Sequence, residues 1–575
     1  MKNIKQYGIS LCMAFALVSC SDYLDINVDP DSPTNFAPTV DARLTAIEHA
    51  VLHTHGTTAH FTALVEQHIT PTQRGNDRYG GPAQWEFTGA NPRTVGTYPY
   101  QIFFVAAGGN FKDLVDKAEE EGAYHYLAAV KFFRATGFMV MTDFFGEMPY
   151  TEALGAVSNP AYDDGETIFN GCLKELDEAI ELFQKTQEPG ATPLAKGDSW
   201  NGGDVNKWIR MCYGFKARWL NNLSKKSALY KPDDILAALD KAPKSNAESI
   251  IIRHEDKDAN IVDPLWGDPT KTSFAYIWLV NWSRVYYITK WYADLLTDFD
   301  GKGITDPRAY RLIPLIQTGE NKQWTLSDGV DMRTDVRIVP GEFVPAAYDA
   351  ATGEWTGSPA GRNYVSLHTK GVVNSSFKDV ADDGTVLNSG TYYARPDAPA
   401  HFMAYPELCF IKAEVLLRKG DKSGAFNAYK DGIASHFSLM NGVLADYGDN
   451  DNLSKTPMSQ TDIDAYLNTA IGTADDLTMG KIMMQKYIVM GFSHQNWNDL
   501  RRFDYDPQVY RGWEVPYEYS SGSSSKASVP DGRMLRRFRH SIHEYNYNND
   551  NLELSHPAAT KDDIYSYPVW WDEAE

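Results

Sequence analysis

Past residue 20 the chain has no uninterrupted apolar run near the roughly 18 residues a membrane-crossing helix needs, so no later segment is expected to span a bilayer. Cysteine is scarce, with five in 575 residues. Cys12 and Cys20 fall in the leader; Cys172, Cys212 and Cys409 stand apart in apolar helical patterns without CxxC spacing. That spacing favours three buried free thiols over a disulfide framework or a zinc site. Positive charge is also short: 54 Lys and Arg face 76 Asp and Glu, for a formal charge of −22. Residues 1–19 hold Lys2 and Lys5 and no acid, so their removal shifts the charge by two, to −24. Nucleic acid and anionic lipid are excluded as main partners, because each requires a basic footprint. Catalytic signatures are missing as well: no GxSxG elbow, HExxH, Walker loop or complete GxGxxG context is present. The enzyme reading that remains is a glycoside hydrolase, which needs two carboxylates about 5–10 Å apart. With 76 acids such pairs arise by chance, so no enzyme and no cofactor are expected.

What is present begins with an address. Lys2 and Lys5 form a positive n-region, and Ile9 to Val18 form an apolar stretch of secretory length. Leu17, Val18, Ser19 and Cys20 then resemble the lipobox of bacterial lipoproteins, in which the cysteine is acylated and becomes the first mature residue. Residues 1–19 are therefore read as a signal peptide and 20–40 as a lipid-anchored tether, with Pro30, Pro33 and Pro38 and no helical period. Asp25, Asn27, Asp29 and Asp31 alternate as in a calcium loop, but Pro30 stands where an EF-hand needs Gly and Phe36 where it needs Glu. A structural calcium is the one metal this leaves to consider. His49 and His53, four apart on one helix face, lack a third zinc ligand.

At 575 residues the chain exceeds what one simple core supports. Apolar periodicity predicts helices from Asp41 to about Ile69, with a break near Gly56, and at Gln101–Glu121, Tyr124–Met141, Glu166–Lys185, Val205–Leu223, Asp233–Leu239, Ile288–Leu296 and Thr478–Met490. Two more, turning about Gly420 and Asp421, pair like a tetratricopeptide hairpin, with Leu408, Ala413, Leu416, Ala425 and Tyr429 as packing positions. Residues 41–250 and 400–575 thus read as a mainly α scaffold. Residues 251–399, rich in Gly, Thr, Asp and Pro, read as a loop-rich lobe with short strands and the ligand site, helped by the loop 70–100.

The conspicuous surplus is aromatic: 13% of residues, with 14 Trp and 33 Tyr. Many rings lie in loop-like stretches, where they supply a binding surface rather than a helix core. A sugar offers an apolar CH face and a hydroxyl rim, so its site needs flat rings beside amides, carboxylates and guanidinium groups. Two stretches carry that mixture. The first holds Gln73, Arg74, Asn76, Arg78, Tyr79 and Trp85; the second holds Trp266, Trp278, Asn281, Trp282 and Arg284. On a helix Trp278 and Trp282 would share a face. Trp324 and Trp355 are further candidates.

Five separated motifs, CSDYLDINVDPDSPTN, TDFFGEMPY, TDPR, PELCFIKAEVLLRKG and NWNDLRRFDY, resemble in order those of the SusD/RagB lipoproteins of Bacteroidota, in particular the SusD-like type 2 branch. One departure is RRFRHSIHEYNYN, where His540 and Ser541 replace an expected Tyr-Pro. The resemblance implies a tetratricopeptide-like helical scaffold with a loop-rich ligand lobe, lipid-anchored at the outer membrane and facing the exterior. It also implies a SusC-like TonB-dependent transporter as partner, oligosaccharide as ligand (or peptide, as in RagB) and no catalysis. A tetratricopeptide adaptor without a small ligand is the third reading.

Overall fold

The protein is described by a computed structural model for residues 38–71, 80–83, 85, 87, 92–253, 286–318, 323–332, 347–349, 354–356, 367, 391–393, 398–447, 453–516, 529 and 532–574. Helix α1 (Val40–Val65) begins with a one-sided stripe, Val40, Leu44, Ile47 and Val51, and then becomes buried on every side from Thr54 onward. The expected break at Gly56 does not occur. A helical Gly costs only about 1 kcal/mol, and the burial of both flanks outweighs it. The threonines of this half settle their hydroxyls on the helix itself: Thr54 donates to the Ala50 carbonyl at 2.9 Å and Thr58 to that of Thr54 at 3.0 Å.

After strand β1 (Ile69–Pro71), helix α2 (Pro92–Gln101) passes through a π-helical turn (Ile102–Ala107) and a 3-10 turn into α3 (Phe111–Glu121). The helix thus starts nine residues before the sequence suggests. Gly96 and Pro99 read as loop punctuation, yet Gly96 is there for close approach: a Cβ would lie 2.6 Å from the Arg539 carbonyl. Gly122, in the left-handed region, ends α3 and turns the chain into α4 (Tyr124–Phe145). Asp164 caps α5 (Gly165–Phe183), accepting from the Thr167 amide at 2.7 Å, and Asp204 caps α6 (Val205–Asn222) in the same way. Helix α7 (Pro232–Leu239) folds back on α6.

Strand β2 (Ile250–Ile252) pairs antiparallel with β8 (Ala400–Met403), so the two ends of the intervening sequence are tied together at one point. Between them lie β3 (Tyr286–Ile288), helix α8 (Lys290–Thr297) and two hairpins, β4 (Leu315–Thr318) with β5 (Gln323–Leu326), and β6 (Ala347–Asp349) with β7 (Glu354–Thr356). The helix expected from Ile288 starts at Lys290, because Tyr286–Ile288 are in a ladder and Thr289 caps α8.

The last helices are α9 (Tyr405–Arg418), α10 (Lys422–Ala445), α11 (Gln460–Thr469), α12 (Met479–Met490), α13 (His494–Arg502), α14 (Ile542–Tyr547) and α15 (Asn549–Ser555). Helices α4 and α5, α6 and α7, and α9 and α10 pack as antiparallel hairpins, and α9 also packs on α12, giving a mainly α, tetratricopeptide-like scaffold with short strands. Leu408, Ala413, Ala425 and Tyr429 are buried between α9 and α10, and Leu416 is half-buried at their edge. Cys172, Cys212 and Cys409 are buried free thiols, and burial pushes the Cys409 thiol up to about 12.

Every residue of α13 is buried, charges included. Arg502 forks onto Glu414 at 2.5 Å through each nitrogen of the pair, and Lys486 meets Asp499 at 2.8 Å. Burial alone would raise the Glu414 carboxyl, but the charge and hydrogen bonds of Arg502 override it and hold that carboxyl well below the usual carboxylate range. Likewise the TDPR motif is core: Arg308 holds Asp306 and the Gln485 oxygen, each at 2.6 Å. Where Tyr-Pro was expected, Ser541 caps α14 and His540 stacks on Phe145, centroids 5.5 Å apart. His49 and His53 lie with ring centroids 6.5 Å apart, and burial lowers His53 to about 3. Among the described residues no group of three or more His, Cys, Asp or Glu is arranged to hold a metal.

Candidate ligand-binding site

At the C-terminal end of α1 the chain turns sharply, with Gln67 at φ 63°, and enters β1. Apolar and β-branched side chains make the following ladder: Ile69 faces Ile288, Thr70 faces Tyr287 and Pro71 faces Tyr286, all buried. The turn is pinned from several sides. Trp513 Nε1 donates to the Glu66 carbonyl at 3.0 Å, the Thr289 amide to the His68 carbonyl at 3.2 Å, and the Gln67 amide group to the Glu514 carbonyl. Val330 runs alongside, donating to the Ile288 carbonyl at 3.0 Å and accepting from Lys290 at 2.8 Å.

Beside this turn opens a cleft of about 250 Å³, walled by Gln67, Thr289, Trp291, Asp294, Asp331 and Glu514 among others. Trp291 is fixed by its Nε1, which donates to the Arg511 carbonyl at 3.1 Å, and by Tyr487, 4.7 Å between centroids. A ring edge and three carboxylates, of which Asp294 pairs with Lys290 in the same wall, suit a ligand with many hydroxyl groups. Below the floor, burial raises the Glu66 carboxyl well above its ordinary range, and the charge of Asp499 adds to the effect. Burial among Tyr292, Tyr487 and Phe492 lowers His68 to about 3. The His68 ring is therefore neutral at pH 7.

The structure brings the roots of the two aromatic stretches together. Pro71 and Tyr286 are partners at one end of the ladder, so the chain toward Gln73 and the chain from Arg284 leave from the same place, each two residues away. Gln73, Arg74, Asn76, Arg78, Tyr79, Trp266, Trp278, Asn281, Trp282 and Arg284 themselves lie outside the described residues, as do Cys20 and the alternating acids of the tether. Trp324 is half-buried on β5, opposite Gln317; Trp355 occupies the β7 register position opposite Tyr348.

Trp85 is a correction. It is 0% exposed, donates Nε1 to the Val65 carbonyl at 2.8 Å and packs between Tyr505 and Trp513. It supports the turn and offers no face to a ligand. Conversely, Gln67, Trp291 and Glu514 line the cleft without having been singled out. Trp291 is masked in the sequence because it opens an ordinary helix; nothing local marks Gln67 or Glu514.

A family model described as starch-binding, associating with outer membrane, matches residues 34–322 and 342–519. The chain belongs to the SusD-like family. Members of the SusD-like family are binding proteins rather than enzymes. Solved structures similar to this SusD-like chain include a SusD/RagB family protein of Bacteroides thetaiotaomicron, 17% identical with a TM-score of 0.64, covering 94% of this chain and 100% of its own. A SusD homologue of Bacteroides fragilis is 19% identical with a TM-score of 0.61, covering 93% and 100%. A protein named as chitin-binding is 18% identical with a TM-score of 0.61, also covering 93% and 100%. These likenesses show the fold. No curated protein matches in sequence. No helix among the described residues is long and apolar enough to cross a membrane.

Proposed function

We propose that this chain is a surface lipoprotein, held through Cys20, that captures oligosaccharides and passes them to a SusC-like TonB-dependent transporter. The observation that carries the reading is the pairing of Pro71 with Tyr286, which roots two stretches rich in Trp, Asn, Gln and Arg at one point, at the other end of the ladder from the cleft. In this reading the aromatic rings stack on sugar faces, the amides and guanidinium groups meet hydroxyls, and the cleft takes a terminal residue. The tie between β2 and β8 supports a division into a scaffold (41–250 and 400–575) and a ligand lobe (251–399). The family description as starch-binding and the chitin-binding neighbour favour a glycan. Capture of this kind uses no cofactor and makes or breaks no bond.

Isothermal titration of the anchor-free protein against an oligosaccharide panel and a peptide panel tests it. The expected result is oligosaccharide binding that weakens about tenfold or more in Trp282→Ala with unchanged thermal unfolding. Binding confined to peptides would move the protein to the RagB-like reading, and release of reducing ends would make it a hydrolase.

A further inference from the structure

Asn-Gly pairs occur in the sequence at Asn170, Asn201 and Asn441. In such a pair the glycine nitrogen can close on the asparagine side chain, because the following residue has no Cβ to block the approach. The fold treats the pairs differently. Asn170 lies inside α5 and Asn441 inside α10, where the next amide belongs to the helix ladder. Asn441 is also held at both side-chain atoms: Nδ2 donates to the Met458 carbonyl at 2.9 Å, and Oδ1 accepts from the Met458 amide at 2.7 Å. Asn201 instead lies in the turn between a 3-10 segment (Leu194–Lys196) and α6.

That turn is built around one carboxylate. Asp198 Oδ1 accepts from the Trp200 and Asn201 amides at 3.0 and 2.9 Å, and Oδ2 accepts from the Gly203 amide and Trp208 Nε1, both at 2.8 Å. Of the successive amides from Trp200 to Gly203, that of Gly202 alone makes no hydrogen bond among the described residues. Gly202 is exposed at φ 62°, and a Cβ built on it would meet nothing within 4 Å, so a ring has room to form there. The side-chain amide of Asn201 is unheld as well. Its Nδ2 is buried without a partner, which costs free energy that is recovered when the nitrogen leaves. A free nucleophile and a free amide therefore stand on adjacent residues of a turn fixed on both sides.

We infer that Asn201 is a site of spontaneous covalent modification, in which its side chain cyclises onto the Gly202 nitrogen. That nitrogen gives its proton to hydroxide and attacks Asn201 Cγ. An N–Cγ bond forms, the Cγ–Nδ2 bond breaks, and Nδ2 takes a proton from water and departs as ammonia. Water then opens the five-membered imide, at Cγ to give aspartate or at the main-chain carbonyl to give isoaspartate. In sum, amide and water become carboxylic acid and ammonia, with no oxidant or cofactor. Either product places a new carboxylate near Asp198, and isoaspartate also adds a methylene to the main chain within the turn. The same loop grips the start of α1: Thr45 donates to the Gly197 carbonyl at 2.9 Å, the Ser199 amide to Glu48 at 2.9 Å, and Lys196 pairs with Asp41 at 3.1 Å. Modification at Asn201 loosens that grip as the protein ages.

Peptide mapping by mass spectrometry of the folded protein aged in mildly alkaline buffer, with an isoaspartate methyltransferase assay, tests the assignment. Conversion at Asn201 is expected to be at least about tenfold faster than at Asn170 and Asn441, with isoaspartate among the products and none at this position in Asn201→Gln. In denaturant the gap between the pairs should close. Equal rates in the folded protein, aspartate without isoaspartate, or a preference for Asn201 that persists unchanged in denaturant would each overturn it. The aged parent should also unfold at a lower temperature than Asn201→Gln aged beside it; an unchanged unfolding temperature after full conversion would overturn the loosening of α1.

Discussion

Pro71 on β1 stands opposite Tyr286 on β3, and the two aromatic stretches of the sequence depart from that one pair. The two partners are more than 200 residues apart in sequence, so it is the ladder that brings these two segments of the chain to one point. Tyr286 is fully buried, with its hydroxyl 3.1 Å from His60 Nε2.

Tyr286→Ala should therefore cost about 3–5 kcal/mol of stability and loosen the ligand site as the two roots separate. Tyr286→Phe keeps the ring and should cost only about 1 kcal/mol, with oligosaccharide affinity unchanged. Denaturant unfolding and titration of both variants measure this. Parental affinity in a folded Tyr286→Ala protein would show that the ladder does not align the site.

The fork between Arg502 and Glu414 makes a second prediction. With these groups buried, Glu414→Gln leaves Asp499 as the one carboxylate between Arg502 and Lys486 and should cost about 3–5 kcal/mol, whereas the paired change Glu414→Gln with Arg502→Met should recover much of the loss. The acid side follows from the depressed Glu414 carboxyl. Its contribution is present above the ordinary pKa of a glutamate and is lost as pH falls below it toward the lower folded value. Unfolding midpoints of parent and Glu414→Gln should accordingly converge in acid.

His68 and Glu66 act with opposite signs. The His68 ring is held neutral down to about 3, so its stabilising effect is full above about 6.5, the pKa of a free histidine. It is lost as pH falls from there, at up to about 1.4 kcal/mol per pH unit. Glu66, raised by burial, favours the fold increasingly as pH falls toward the ordinary glutamate value, and so offsets His68 until that point. His68→Phe preserves packing among Tyr292, Tyr487 and Phe492 and removes the titration. Its stability should decline less steeply below pH 6.5 than that of the parent; parallel pH profiles would exclude His68 as a contributor.

How much of this was legible in the sequence depended on whether the cause was local. Helices α5, α6 and α10 were readable because apolar positions at helical spacing and an Asp cap lie within each segment, and α9 because Pro406 in its first turn opens an apolar helical run. Helix α2 was not: Gly96 and Pro99 signal a loop, and the glycine is explained only by packing against Phe145 and the Arg539 backbone, more than 40 residues away. The full burial of α1 past Gly56 was hidden for the same reason, since its Thr and His residues look solvent-facing until their neighbours are known. In the candidate site, composition pointed to Trp, Asn, Gln and Arg as residue types, while the pairing of Pro71 with Tyr286 and the cleft wall at Gln67, Trp291 and Glu514 arise from contacts that no window of sequence contains.

Trp85 shows the limit of composition most directly, because its stretch of sequence is as rich in rings as the one that holds Trp282. Trp85 fills the space between Tyr505 and Trp513 and satisfies the Val65 carbonyl at the end of α1. Trp85→Ala should therefore lose about 3–5 kcal/mol through the cavity it leaves, with a stranded carbonyl adding to it. Trp85→Phe should retain most of the packing and lose about 1 kcal/mol with the indole hydrogen bond. Any fall in oligosaccharide affinity should follow the loss of the turn at Gln67, and so should disappear when titration is done at a temperature where the variant is fully folded. A Trp85→Ala protein of parental stability but impaired binding would return this ring to the ligand surface.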